Sequence, residues 1–180
     1  LETAIAADEV EPNAMLLATI GADGRPRSRV VLLKEASRNG LVFFTHYTSP
    51  KGEELAANPV ASATFWWPGL MRQVRAVGAV TKLTRQENET YFAKRPRASQ
   101  LGAWASRQST PIVSHDDLLE AAAQASERFE GKDVPCPPEW GGYRIDVDEF
   151  EFWQGQSGRL HDRVLARRNV DGWSAIHIQP

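Results

Sequence analysis

The sequence predicts a mainly β domain with inserted helices, an antiparallel barrel of the α+β class. Strand-like runs crowd into the first half of the chain, turn signals able to adopt positive φ separate the early ones, and the strong helix signals come late. A doubly wound nucleotide fold does not fit. It needs strands alternating with helices and a glycine-rich strand-to-helix turn, and neither GxGxxG nor GxxxxGK followed by Ser or Thr occurs.

Taken in order, residues 1–9 read as a short helix ended at Glu11-Pro12, because the residue before proline is pushed out of the helical region. Met15 to Ile20 and Arg29 to Leu33 flank a segment containing Asp23-Gly24 and read as a hairpin. Asn39-Gly40 repeats the turn signal before a strand at Leu41 to Thr45. A helix at Lys51 to Ala57 stops at Asn58-Pro59, and strands follow at Val60 to Trp67 and Arg72 to Leu83. Thr84 with Glu87 forms a capping box that opens a helix running to about Lys94, where Arg95-Pro96 interrupts it. A second short helix is expected over Ser99 to Ser106. Ser114 gives another start signal for a helix through the Ala-rich Leu118 to Phe129. Val134 to Pro138 is an extended connector. Four closing strands are expected at Tyr143 to Val147, Glu149 to Trp153, Arg163 to Arg168 and Trp173 to Ile178.

With 180 residues, 42% hydrophobic and 24% charged, the chain is sized for a single domain with a real core. Lys and Arg total 21 against 23 for Asp and Glu, so no global basic field exists to hold nucleic acid or an anionic membrane surface. Any anion site must be local. The apolar runs are of strand length, short of the roughly 20 residues a membrane helix needs. Cys136 is the single cysteine, which rules out an internal disulfide and a multi-thiolate metal site and fits a reducing cytoplasm. The first residues do not form a signal peptide, and since they lack an initiating Met a preceding segment is expected.

Five clusters set cationic or amide side chains among apolar residues. Arg29-Val30-Val31-Leu32-Leu33-Lys34 brackets a strand with two cations, Arg29, Val31 and Leu33 sharing one face and Lys34 falling on the other. Phe44-Thr45 precedes Ser49-Pro50-Lys51 at a helix start, where backbone N–H groups favour an anion. Gln73, in Met71-Arg72-Gln73-Val74, offers a donor and an acceptor to a heterocycle edge. Tyr91 and Arg95 stand four apart with Ser99 following, so three phosphate-friendly groups can converge. Arg159, His161 and Arg163 alternate onto one side if extended. Taken alone, such clusters are more often solvated charges, an N-cap or an exposed strand residue.

Together their order and spacing are specific. Tyr91-Phe92-x-x-Arg95-Pro96-x-x-Ser99-Gln100-x-Gly102-Ala103-Trp104, then Gln108-Ser109, Trp140-Gly-Gly-Tyr-Arg144, Glu151-Phe-Trp-Gln-Gly155 and Arg159-Leu-His-Asp-Arg163 closely resemble the pyridoxine (pyridoxamine) 5′-phosphate oxidase family, from about Glu11 to Pro180. The resemblance implies a split β-barrel that is FMN-binding and homodimeric, with FMN at the subunit interface and each site drawn from both chains. It assigns FMN contacts to Arg29, Val30, Val31, Leu32, Leu33, Lys34, Phe44, Thr45, Lys51, Gln73, Gln108, Ser109, Trp153 and Arg163. It assigns the phosphorylated B6 substrate to Lys34, Tyr91, Arg95, Ser99, Arg159, Leu160 and His161, with Arg159 and His161 as the catalytic pair. The implied reaction is oxidation of pyridoxamine or pyridoxine 5′-phosphate to pyridoxal 5′-phosphate, oxygen giving hydrogen peroxide. No nucleic acid, membrane or metal partner is expected.

Two positions depart from the family pattern. Pro50 stands where many members place a basic residue beside Lys51, and Phe44 often corresponds to Tyr. The rival assignments are an FMN oxidase of the phenazine-precursor type, a flavin reductase, and a non-catalytic flavin-, haem- or pyridoxal-phosphate-binding split barrel. A small nucleic-acid-binding barrel is disfavoured by the charge balance.

Overall fold

Strands β1 (Ala14–Ile20) and β2 (Pro26–Leu32) form a hairpin in register from Ala14 opposite Leu32 to Ile20 opposite Pro26. The tight connection is possible because Gly24 takes φ 75°, a conformation glycine adopts without a Cβ penalty. The computed structural model describes residues 1–180. Helix α1 (Glu2–Ala6) precedes the hairpin. After it come β3 (Glu35–Ser37), β4 (Gly40–His46), α2 (Pro50–Ala57), β5 (Val60–Trp67) and β6 (Arg72–Lys82). Then follow three helices, α3 (Arg85–Ala93), α4 (Arg97–Ala105) and α5 (His115–Arg128). The chain closes with β7 (Trp140–Gln154), a 3₁₀ turn at Ser157–Arg159, β8 (Asp162–Asn169) and β9 (Gly172–His177).

All pairings are antiparallel, in the order β2-β1-β5-β6-β7-β4-β3, with β8 and β9 branching from β7. The predicted antiparallel class is therefore observed. The branch explains the split shape. Residues 140–145 of β7 pair with β4, residues 149–154 pair with β8, and β6 runs along both halves. The changeover lies beside a bulge between Val77 and Gly78. The extra residue is Asp148 of β7, and a bulge bends its strand and raises the local twist, so this one long strand pairs with β4 at one end and β8 at the other within a single sheet. The sequence expectation of two strands here is corrected to one continuous strand of 15 residues, and Glu35–Ser37 is an added short edge strand.

Two cores result. Sixteen buried residues, including Met15, Leu17, Phe43 and Ile145, fill the barrel interior, most from inward-facing strand positions and Ala4 and Leu55 from α1 and α2. A satellite of six, including Phe92, Phe129 and Trp140, joins the helices to the start of β7. Helix α3 has the predicted capping box, with Thr84 accepting from the Glu87 backbone and Glu87 accepting from the Thr84 N–H. It is tied to the sheet by buried Asn88, which donates to the Tyr47 hydroxyl at 2.9 Å and accepts from the Gly142 N–H at 2.8 Å. That anchoring fixes where Tyr91 and Arg95 lie.

Candidate active site

A cleft of about 680 Å³ opens between β2, the end of β4, α2 and the α3–α4 junction. Arg29, Lys34, Lys51, Lys94 and Arg95 line it, and no Asp or Glu is among its 14 lining residues. In a chain of formal net charge −2 such segregation makes a local anion site. Val30, Val31, Leu32, Phe44, Thr45, Tyr91, Pro96, Ser99 and Gln108 complete the wall.

At one end, Ser49 caps α2, its Oγ accepting from the Gly52 N–H, and Lys51 is buried just inside the helix. The Gln108 carboxamide oxygen sits where donors converge, accepting from Thr45 Oγ1 at 2.7 Å, Lys51 Nζ at 3.1 Å and the His46 N–H at 3.4 Å. That neutral acceptor marks a place that would suit an anionic oxygen. Burial, followed by the neighbouring Arg29 cation, lowers the Lys51 pKa, and the Glu54 carboxylate partly restores it. Burial, then Lys51 and Arg95, likewise holds the His46 pKa down.

At the other end, the Tyr91 ring stacks on Phe44 with centroids 3.8 Å apart, and burial raises its phenol pKa. The Arg95 guanidinium lies 4.7 Å over the Trp140 ring with no carboxylate partner. Its Nη1 is buried and makes no hydrogen bond. A buried donor left unpaired costs about 1–3 kcal/mol, so an acceptor that reached Arg95 Nη1 would be favoured there. Arg95 lies beyond the end of α3, so its meeting with Tyr91 and Ser99 comes from the Pro96 turn rather than from the shared helical face expected.

The remaining predicted residues lie elsewhere in the chain. Gln73 and Trp153 line a second cleft of about 440 Å³ over β6 and β7. Arg163 faces Trp153 across the β7–β8 pair, its guanidinium held by buried Glu151. The His161 ring packs on Trp153 at 4.6 Å and its Nδ1 accepts from the Gln156 N–H at 3.2 Å. Arg159 and Leu160 are exposed. The alternation expected for Arg159, His161 and Arg163 does not form. Gly158 and Arg159 take φ 67° and 61°, which turns the chain before β8 begins.

Leu33 also departs from expectation, its side chain being 5% exposed in the barrel core. Ser109, at φ 67°, is exposed outside both clefts. Sequence reasoning passed over Lys94 and Pro96 in the wall, Thr19 and Glu54 behind it, and the hold of Glu151 on Arg163 away from it. Glu54, one turn after Lys51 on α2, carried a usable helical-spacing signal. Thr19 and Glu151 carried none, because their contacts depend on strand pairing.

Comparison with known proteins agrees with this architecture. Residues 1–129 match the model of the family described as pyridoxamine 5′-phosphate oxidase, and residues 140–180 match the pyridoxine 5′-phosphate oxidase C-terminal dimerisation region. The pyridoxine/pyridoxamine 5′-phosphate oxidase of Rubrobacter xylanophilus is 50% identical over 99% of this chain and 82% of its own length. That of Microcystis aeruginosa is 48% identical over 100% and 85%. Among solved structures, PhzG from Burkholderia lata in complex with tetrahydrophenazine-1-carboxylic acid superposes with a TM-score of 0.94 at 35% identity, covering 99% of this chain and 88% of that one. A pyridoxamine 5′-phosphate oxidase-related FMN-binding protein from Nostoc punctiforme, 19% identical with a TM-score of 0.80 over 99% and 95% of the two chains, shares the fold.

Proposed function

Because the chain belongs to the pyridoxamine 5′-phosphate oxidase family, we propose that it is an FMN-dependent oxidase converting pyridoxamine or pyridoxine 5′-phosphate to pyridoxal 5′-phosphate. The observation that carries this proposal is the cleft with five cations and no carboxylate, in which Arg95 Nη1 lies buried without an acceptor. Two phosphates, one from cofactor and one from substrate, match that charge.

The residues fit FMN. Arg29, Thr45, Lys51 and the α2 start would hold its phosphate, with hydrophobic Val30, Val31 and Leu32 alongside. When bound, FMN supplies the redox chemistry, accepting hydride from the substrate carbon and passing two electrons to oxygen to give hydrogen peroxide. Tyr91, Arg95, Ser99 and Lys34 would grip the substrate phosphate, and that grip orients the ring. Arg159 and His161 would cover the ring and assist loss of the proton from the amine or alcohol. The imine from the amine substrate then adds water and releases ammonia.

We further propose that the functional unit is a homodimer with FMN at its interface. The match to a C-terminal dimerisation region supports pairing. So does an outward-facing apolar surface that includes Leu16, Val30 and Trp66, each between 45% and 66% exposed. Pairing would bring Gln73, Trp153, Arg159, His161 and Arg163 of the partner subunit against the cationic cleft. No helix is long and apolar enough to cross a membrane, and a cytoplasmic site of action is part of the proposal.

The second assignment is oxidation of a phenazine precursor, favoured by the structural likeness to PhzG. A substrate without phosphate leaves no role for the Tyr91, Arg95 and Ser99 group, whereas a phosphorylated vitamer uses all three. The test is to purify the protein, measure bound FMN, and assay oxygen-dependent pyridoxal 5′-phosphate and peroxide formation beside a dihydrophenazine acid. A protein that binds no FMN, or that oxidises only the dihydrophenazine acid, refutes the proposal.

A further inference from the structure

One of the cations at the α2 end of the cleft, Arg29, is itself held from behind by a carboxylate. Glu54 on α2 is 6% exposed, and its Oε2 accepts from Arg29 Nη2 at 2.8 Å. The Thr19 hydroxyl donates to the same oxygen, and Arg29 Nη1 donates to Thr19 Oγ1. The three side chains close a hydrogen-bonded ring that joins β1, β2 and α2. The other carboxylate oxygen faces Arg27 Nε at 3.8 Å. One turn earlier on the same helix stand Ser49 and Lys51. Glu54 is therefore the side chain that links the strand bearing Arg29 to the helix bearing Lys51.

A carboxylate near an anion site opposes binding unless it does something else. Here Arg27 and Arg29 offset its charge, and the two groups it fixes would otherwise have several rotamers to choose among. Arg29 is a long side chain whose ordering costs binding free energy unless it is ordered beforehand. We propose that Glu54 is a positioning residue for phosphate recognition, holding Arg29 and the α2 start in one register so that the site selects phosphorylated over unphosphorylated flavin. The inference rests on the FMN assignment above. It attributes the selectivity to a group that does not touch the ligand, and it accounts for a phosphate grip in a chain that has Pro50 rather than a second cation beside Lys51.

The test is to strip the full-length protein of flavin and titrate it with FMN and with riboflavin, following flavin fluorescence. Glu54→Ala should weaken FMN by about tenfold, the lower end of the effect of removing a group that orients binding residues, while riboflavin affinity stays within about twofold. Glu54→Gln keeps an acceptor for Arg29 and should stay within about threefold for FMN, because geometry rather than charge is its contribution. If Glu54→Ala does not fold, Thr19→Val opens the same ring and carries the same expectation. Unchanged FMN affinity, or equal weakening of FMN and riboflavin, overturns the role of Glu54. Wild-type protein that binds neither flavin overturns the cofactor assignment itself, and the inference with it.

Discussion

Arg163 presents two N–H groups to a single carboxylate oxygen of Glu151, Nε at 2.9 Å and Nη2 at 2.6 Å. The other Glu151 oxygen takes Arg75 Nη2 at 2.6 Å, so one carboxylate, 4% exposed, holds two guanidinium groups from β6 and β8 across β7. Removing it leaves Arg163 without its counter-charge and Arg75 with only the more distant Glu149, at 3.8 Å. Glu151→Ala should lower stability by about 2 kcal/mol, reduced from the buried-pair value because both arginines are partly exposed. Urea unfolding would measure it. A loss below about 0.5 kcal/mol would mean that solvent already screens the cluster.

Arg159 stands outside the cationic cleft of its own chain, so its proposed role is exerted at a neighbouring site. Arg159→Ala should reduce turnover about a hundredfold, in the range for loss of one oriented electrostatic group, with FMN content unchanged. Stopped-flow reduction by substrate together with the flavin spectrum of the purified variant separates the two effects. Turnover at the wild-type rate would remove Arg159 from the chemistry.

Lys51 gives the site a pH dependence. Its pKa is lowered, chiefly by burial, so it begins to lose its charge at a lower pH than an exposed lysine. FMN affinity should fall as pH rises through that lowered value, and Lys51→Met should bind weakly with that dependence removed. For the flavin-free chain the Lys51 contribution has the opposite sign. Between the lowered folded pKa and the ordinary lysine value the unfolded chain binds more protons, so stability gains from rising pH in that window. Titrations of FMN binding and of urea midpoints across the alkaline range check both signs.

Gly78 sits on β6 opposite the β7 bulge, where an added Cβ would lie 2.2 Å from the Asp146 carbonyl oxygen and 2.7 Å from its carbon. The obstruction is backbone, which has no rotamer to yield. Gly78→Ala should cost about 1–3 kcal/mol, the usual penalty for overpacking. Thermal unfolding that matches the wild type would show that β7 can move away.

Local signals read well where a few neighbouring residues decide the outcome. The Thr84/Glu87 and Ser114 start signals, Asp23-Gly24 and Asn39-Gly40 placed helix starts and turns correctly, since caps and positive-φ residues act over one turn of chain. The break assigned between Tyr143–Val147 and Glu149–Trp153 is absent as a strand end, because β6 pairs on both sides of it and Asp148 is taken up as the extra residue of a bulge in β7. Gly158 and Arg159 bend where extension was expected, since the hairpin needed a turn before Asp162.

By itself the sequence determined the antiparallel class, the order of most strands and helices, the family to which the chain belongs, and which side chains bear the charge. Tertiary structure decided which of those charges share a cleft. Gln108 meets Thr45 across 63 residues and Glu54 meets Arg29 across 25. It also decided that Leu33 enters the core, that Arg163 is held by Glu151, and that Gln73 and Trp153 line a separate surface of the same chain. The physical reason is range. Turn and cap preferences are fixed by neighbours along the backbone, whereas convergence of cations depends on strand register and helix docking, which only burial of the whole core specifies.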